Sequence, residues 1–171
     1  MTVGDRISSR LDISTDPEAA LSDFPQDHGE RRRWMGILAR SSAAEMTEHL
    51  EALPPLPSHT RLRGPETGLI MLRGRAGGDG AAFNLSEAVV TRCSITLSDG
   101  RMGHAYILGR DDRKAELAAV LDAALQDPER RPALLSGVIA PLAAAQAAQA
   151  EATARKAAAT RVQFFTMASM R

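Results

Sequence analysis

The sequence predicts an α+β fold with an antiparallel or mixed sheet around a central hairpin, an N-terminal helix pair, one packing helix and a long alanine-rich C-terminal helix. Three observations support this class. Two apolar runs flank Asp99-Gly100, a pair typical of a tight hairpin turn. Apolar residues recur at helical spacing on both sides of that hairpin. Alanine, the strongest helix former, dominates the stretch before the C-terminus.

The chain divides into three predicted regions. Residues 1–27 mix Asp, Ser, Arg and Pro without periodicity, which predicts a disordered tail. Residues 28–138 form the predicted α+β domain. Residues 139–171 form a helical arm with an aromatic tip, part of the same domain or of a complex.

Two short N-terminal helices are predicted. Apolar residues at helical spacing from Trp34 onward predict a helix over 29–40. Ser42 and Glu45 fit a capping box, in which each side chain bonds the other residue's backbone N–H, so a second helix is expected over 43–52. Prolines then end it. The arginine run at 31–33 is interpreted as a solvated face rather than an anion site.

A strand is predicted over 68–75 from the segment TGLIMLRGR. The glycine-rich stretch RAGGDGAAF follows it. Its glycine spacing matches neither phosphate-cradling pattern, so a plain hairpin loop is favoured over a nucleotide site.

The central hairpin carries the most detailed prediction. A two-residue type I′ turn at Asp99-Gly100 pairs Ile95 with His104 and Cys93 with Tyr106. One face is the better core candidate, and the other is small and polar enough to approach a helix, a ligand or another chain. The predicted core face carries Cys93, Ile95, Leu97, Met102, His104 and Tyr106, and the opposite face carries Arg92, Ser94, Thr96, Gly103, Ala105 and Ile107.

Two residues of that predicted core face have an alternative chemical interpretation. For His104, a hydrogen-bonded core histidine is favoured over a catalyst. Cys93 is interpreted as a buried structural cysteine, because no nearby residue would lower the pKa of its thiol. A single cysteine also fits a reducing compartment.

Two further helices are predicted after the hairpin. Asp111 or Asp112 can cap the first, which should stop before Pro128. The segment ALLSGVIAP is interpreted as short and extended or mixed. The second helix should run over 141–162.

That last helix has no large apolar residue between its first turn and Val162. Two buried phenylalanine rings beyond it would contribute several kcal/mol, at roughly 25 cal/mol per Å². Either the tip folds back onto the sheet or another subunit covers it, and the thin stem favours the second. The predicted partner-binding residues are Val162, Phe164, Phe165 and Met167.

Composition and motifs exclude several classes of function. Lys+Arg and Asp+Glu each number 21, so no basic excess predicts nucleic-acid binding. We expect no membrane span and no signal peptide, and therefore a cytoplasmic location. Neither a zinc-protease motif nor a P-loop is present, and the four histidines lack metal-ligand spacing, so no metal site is predicted.

Several sequence blocks resemble one known family. RWMGILARSSAAEM, FNLSEAVVTRC, DGRMGHAYILGRD and the closing RVQFFTM look like the PhnG family, the G subunit of the bacterial carbon–phosphorus lyase core complex. The likeness runs from about residue 30 to 167 with the blocks in the same order. The N-terminal tail has no recognised counterpart.

The resemblance implies a role in phosphonate catabolism. Such G subunits assemble with the I, H and J subunits, and the L and K subunits associate. With I, H and L, the G subunit takes part in displacing adenine from ATP by a phosphonate, which yields α-D-ribose 1-methylphosphonate 5-triphosphate. ATP is then a substrate of the complex, and no cofactor is expected on this subunit. The resemblance carries over no catalytic residue.

Three hypotheses follow. The first is an accessory subunit of this transferase that is not catalytic on its own. The second is an active participant that supplies Arg92, His104 or Arg110 to a shared phosphate site, since arginine binds phosphate oxygens in a bidentate fork. The third is a stand-alone homodimeric small-molecule binding protein with the tip exchanged between identical chains.

Overall fold

The computed structural model describes residues 27–75 and 80–162, and it confirms the α+β class with a three-stranded antiparallel sheet. The arm's predicted tip residues beyond Val162, and all but the last residue of the predicted tail, lie outside these ranges. The elements are α1 (Asp27–Arg40), α2 (Ala43–Leu50), β1 (His59–Gly74), β2 (Phe83–Leu97), β3 (Met102–Leu108), α3 (Asp112–Leu125), α4 (Arg131–Leu134), a π-helical turn (Leu135–Ile139) and α5 (Ala140–Ala159).

The predicted helix pair is confirmed at α1 and α2. The Glu45 N–H donates to Ser42 Oγ at 3.2 Å, and the Ser42 N–H donates to Glu45 Oε2 at 2.7 Å. This reciprocal cap satisfies two backbone donors at the start of α2, which separates it from α1. Trp34 and Leu38 are buried on the core side of α1.

The strands lie in the order β1-β2-β3, and α3 packs against β2 and β3. β1 begins at His59, well before the predicted start at Gly68. Its early part is charged and irregular, with register shifts on either side of Arg63, so it lacks the clean alternation that identifies a strand in sequence.

The hairpin register differs from the prediction by one residue. Ile95 pairs with Gly103 and Ser94 with His104. Leu97 N–H donates to the Arg101 carbonyl at 2.9 Å, so the loop between the strands has three residues. Gly100 closes it with φ of 87°. A left-handed glycine ends a three-residue hairpin as well as it suits a type I′ turn, so the dipeptide alone did not determine the loop length.

The one-residue shift turns β3 over relative to β2. The predicted burial of Met102, His104 and Tyr106 is therefore wrong, and all three are exposed. The face towards α3 carries Cys93, Ile95 and Leu97 from β2 and Gly103, Ala105 and Ile107 from β3.

The element that packs closely against the small residues of β3 is the helix α3. A Cβ atom placed on Gly103 would lie 1.9 Å from the Ala119 carbonyl oxygen of α3. Only glycine permits this separation, because any other side chain would overlap the helix backbone. The predicted cap of α3 is also confirmed, since Asp111 Oδ1 accepts the Lys114 N–H at 2.9 Å.

The segment ALLSGVIAP is helical, so the extended or mixed prediction is wrong. Leu134, Val138 and Leu142 are buried at a spacing of four, which is the helical signal in this segment. Pro141 lacks an N–H and crowds a regular α-helix. The wider π turn directly before it, in which the Ala140 N–H donates to the Leu135 carbonyl, accommodates the proline.

The helix that runs continuously over Arg131–Ala159 is long and apolar enough to cross a membrane, contrary to the expectation that no segment qualifies. A soluble protein's helix meets the same criterion. Alanines supply most of this apolar character, and Leu134, in the first turn of this helix, is buried in the core.

Candidate functional site

The sheet face turned away from α3, called here the outer sheet face, brings two predicted site residues together. Arg92 on β2 pairs with Tyr106 on β3, and the adjacent pair on the same face is Ser94 with His104. Ser94 Oγ lies 2.9 Å from His104 Nδ1. His104 is exposed and the Arg92 side chain is 43% exposed, so both lie on an accessible surface.

Arg92 of β2 and Arg63 of β1 share one acidic partner, Glu66 of β1. Arg92 Nε donates to Glu66 Oε1 at 2.5 Å, and Arg63 forms an ion pair with the same oxygen. Loss of water around Glu66 acts to raise the pKa of its carboxyl. The hydrogen bonds from Arg92 and Arg63 outweigh that effect, so the pKa lies below its ordinary value. Two guanidinium groups against one carboxylate leave a net positive charge with donors to spare.

Arg110 is not positioned with these residues. It is exposed in the loop between β3 and α3, after Gly109, which has φ of 91°. Within the described ranges, no hydrogen bond or ion pair engages its side chain. The structure thus joins Arg92 and His104 on one face and leaves Arg110 in a loop.

A buried carboxylate that the sequence analysis missed lies behind the sheet. Asp122 on α3 is 0% exposed. It accepts Arg31 Nη2 at 2.7 Å, Arg31 Nε at 3.1 Å, Trp34 Nε1 at 2.9 Å and the His104 backbone N–H at 3.0 Å. A lone aspartate within an apolar helical stripe was the available signal. Asp122 ties α1 to the edge of β3, which is a structural role.

The arginine run at 31–33 divides between two environments. Arg31 binds Asp122, whereas Arg32 and Arg33 are exposed along an open groove of about 1320 Å³ between α1 and α5. The solvated-face prediction holds for the last two and is wrong for Arg31.

Cys93 fits the structural interpretation. It is 1% exposed, and its Sγ lies 3.5 Å from the Arg63 carbonyl oxygen. Burial raises the pKa of the thiol, which disfavours the reactive thiolate. Among the residues with described positions, no group of three metal-ligating side chains is present.

A charged cluster fixes the start of β1 to α3. Both Glu116 oxygens accept from the Arg61 guanidinium at 2.7 Å, and Glu116 Oε1 lies 3.0 Å from His59 Nε2. The hydrogen bonds from Arg61 and then His59 lower the pKa of Glu116 to about 2.

The C-terminal arm has little contact with its own domain. In α5 only Leu142 is fully buried, and Val162 is 68% exposed. Phe164, Phe165 and Met167 lie outside the described residues. The described stem therefore packs little on its own domain, which matches its lack of large apolar residues after the first turn.

A second uncovered surface lies at the far end of the β1–β2 pair. β3 pairs with β2 only from Val90 onward, so residues 68–74 and 83–89 form a two-stranded segment, called here the distal ribbon. Its exposed large apolar residues are Leu69 (64%), Met71 (51%), Leu72 (41%), Phe83 (45%) and Leu85 (63%). The sequence predicted a strand here without indicating that its own domain leaves these side chains uncovered.

Comparison with known proteins identifies the family. The sequence model described as phosphonate metabolism protein PhnG matches residues 29–169. The chain belongs to the PhnG family. A curated relative in Rhizobium meliloti (strain 1021), the alpha-D-ribose 1-methylphosphonate 5-triphosphate synthase subunit PhnG, is 43% identical over 150 residues, which cover 88% of this chain and 96% of that protein.

The PhnG match begins within α1 and spans both uncovered surfaces. It includes the distal ribbon, the outer sheet face and α5, and it continues through the predicted tip. Membership in the family confirms the resemblance drawn from the sequence blocks and the assignment to phosphonate metabolism.

Proposed function

We propose that this chain is a subunit of α-D-ribose 1-methylphosphonate 5-triphosphate synthase within the cytoplasmic carbon–phosphorus lyase core complex. With the I, H and L subunits it supports displacement of adenine from ATP by a phosphonate. The relative's name as a synthase subunit supports this function. The structural observation that supports it is α5, in which most residues after Leu142 are exposed, as is Val162, the last described residue.

In this proposal the subunit is not catalytic on its own and binds no cofactor, and ATP is a substrate of the whole complex. It assembles with the I, H and J subunits, and L and K associate. The I subunit covers the arm's partner-binding residues, which are Val162, Phe164, Phe165 and Met167. Obligate interfaces are apolar and large, which suits a stem that lets another backbone approach closely.

Co-expression with the I, H and J subunits tests this function. A chain truncated after Val162 should lose the I subunit during purification, while its thermal unfolding stays close to that of the full chain. A matched control replaces Arg155, an exposed residue of the same stem, by Ala and should assemble normally. Assembly of the truncated chain at the level of the full chain would contradict the role of the arm. A homodimer that ignores the I subunit would support the small-molecule binding protein instead.

The outer sheet face favours a second candidate function, in which this subunit contacts phosphate groups of the substrate. Arg92 and His104 share that face, and the Arg63–Glu66–Arg92 cluster retains positive charge. Single Ala substitutions at Arg92, His104 and Arg110 test it. A complex that assembles fully but releases adenine more slowly would support direct participation, with Arg113→Ala on exposed α3 surface as the control. Unchanged release in all variants would leave the accessory role.

A further inference from the structure

We propose that segment 12–24 of this chain docks into the open groove between α1 and α5, called here the α1–α5 groove. The segment precedes α1 and lies outside the described residues, so it is an occupant that the chain itself carries. Both parties belong to one polypeptide, and the inference therefore does not depend on the proposed function. Three observations carry it: the size of the groove, the charge on its two sides, and the short connection between segment and groove.

The groove lies where α5 parts from α1. Gln146 Nε2 donates to the Ile37 carbonyl and to Ser41 Oγ, each at 2.9 Å, and Arg40 Nε donates to Gln146 Oε1 at 3.0 Å. Beyond Gln146, residues 147–151 are all exposed. The cavity holds about 1320 Å³, above the roughly 300–1,000 Å³ of small-ligand pockets, and alanines form most of its α5 wall. A polypeptide segment fits this space better than a small molecule does.

The α1 wall of the groove is basic. Arg32, Arg33 and Arg40 line it, and Glu45 is the one acidic residue among the described residues that line the groove. Three arginines and one glutamate give a formal charge of +2. All four are exposed in the described structure, so their charges are available to an occupant.

The segment carries the opposite charge. It contains four acidic residues and no lysine or arginine, a formal charge of −4. Complementary charges favour a contact and fix its register. The C-terminal residues 163–171 offer no acidic side chain, so charge favours the N-terminal segment over them. The acidic residues are Asp12, Asp16, Glu18 and Asp23.

A two-residue connection, Pro25-Gln26, links the segment to the start of α1 at Asp27. Loops of about 2–5 residues can reverse the chain between two antiparallel helices. Arg32 lies five residues into α1, about 8 Å along its axis at 1.5 Å per residue, so the basic wall is within reach. A short tether also gives an effective concentration in the millimolar range. The chain's own segment therefore has an advantage over the same segment of a second copy.

The sequence of the segment suits such docking, although the tail as a whole lacks periodicity. Thr15 and Glu18 have the spacing of a capping box, and Pro17 is tolerated in a first helical turn. Leu21 and Phe24 are three residues apart, which places them on one face of a helix. Segments with few apolar residues do not order alone but can fold against a surface. The groove provides that surface.

Hydrogen–deuterium exchange of α5 in charge variants of the full chain tests the proposal. Asp16→Lys with Glu18→Lys should release the segment, so that amides of residues 147–157 exchange at least about fivefold faster, because an uncovered helix opens locally more often. Asp5→Lys, in the same tail but outside the segment, is the control and should leave this exchange within about twofold of the wild type. Unchanged exchange of α3 in each variant checks the fold.

A charge swap separates docking from the local effect of each substitution. Arg32→Glu with Arg33→Glu should also accelerate exchange of α5, and adding the two lysine substitutions should slow it again, because opposite charges then face each other once more. Arg32→Lys with Arg33→Lys keeps the sign of the charge and should behave like the wild type.

Three results would overturn the proposal. The first is exchange of α5 that neither charge reversal changes. The second is acceleration by both reversals without recovery in the combined variant, since the two effects would then be independent. The third is protection of α5 that rises with protein concentration, which would assign the groove to the tail of a second copy. All three are measured on the isolated chain, so they leave the proposed function unaffected.

Discussion

The two halves of the β1–β2 pair have the same secondary structure and opposite surroundings. Near β3, the residues from Thr91 to Leu97 alternate between buried and half-buried, and the buried ones pack on α3. In the distal ribbon the strands continue, but large apolar side chains face solvent. A sequence that forms a strand therefore does not guarantee that another element of the domain packs against its apolar side chains.

Helix length explains where the cover ends. α3 has 14 residues, which span about 21 Å at 1.5 Å per residue. β1 has 16 residues, which extend over about 50 Å at 3.3 Å per residue. One helix cannot shield the whole pair, and the ribbon is the part beyond its reach. The difference places the inner half in the folded core and leaves the apolar side chains of the distal half exposed.

Asp122→Ala should have the largest effect on the folded core. It removes the acceptor for Trp34, Arg31 and the His104 backbone, and breaking a buried ion pair costs about 3–5 kcal/mol. Urea unfolding of the isolated chain measures the loss. Glu151→Ala, at an exposed pair on α5, is the control and should cost less than about 0.5 kcal/mol. A loss under 1 kcal/mol at Asp122 would show that the carboxylate does not hold α1 to the sheet.

Truncating one apolar side chain in each half tests the comparison directly. Ile95→Ala in the covered half should cost about 2–5 kcal/mol, because the side chain is fully buried. Leu69→Ala in the distal ribbon should change the free energy of unfolding by less than about 0.5 kcal/mol, since its side chain is already exposed. Equal losses in urea unfolding would mean that the chain itself covers the ribbon.

A glycine pair sharpens the same contrast. Gly103→Ala forces a methyl group against the α3 backbone and should cost about 1–3 kcal/mol. A Cβ on Gly68 would have no atom within 4 Å, so Gly68→Ala should be nearly neutral. Thermal unfolding of both variants is the measurement. A neutral Gly103→Ala would contradict the close approach of α3 to β3.

The smallest expected effect concerns pH. The pKa of Glu116 falls from 4.5 to about 2 on folding, so its contribution to stability is present above about pH 4.5 and is lost as the pH falls through about 2. Glu116→Gln should therefore be less stable than the wild type at pH 6, by about 1 kcal/mol or less, and equal to it below pH 2. Urea midpoints across this range test it, and a gap that persists at the lowest pH would contradict the ion-pair origin.

Local signals in the sequence predicted much of the fold. The capping box at Ser42 and Glu45 defined the helix pair, and the pair Asp111-Asp112 marked the start of α3, where Asp111 is the cap, because such caps depend on residues close in the chain. The loop length at Gly100 was not determined locally, since one glycine suits two turn types, and that single uncertainty reversed the predicted faces of β3.

The candidate site was less accessible to prediction. Arg92 and His104 were predicted as candidate site residues, but their shared face followed only from the true register. Asp122 acquires its role from donors on α1 and β3 that are distant in the chain, and no short-range pattern encodes them. The exposure of the distal ribbon depends on how far α3 reaches, which sequence alternation does not contain.

Hydrogen–deuterium exchange of the isolated chain tests the central claim most directly. We predict that amides of residues 68–74 and 83–89, beyond the reach of α3, exchange at least about tenfold faster than amides of residues 91–97. Equal exchange in the two segments would contradict the claim that α3 covers only the half of the β1–β2 pair next to β3.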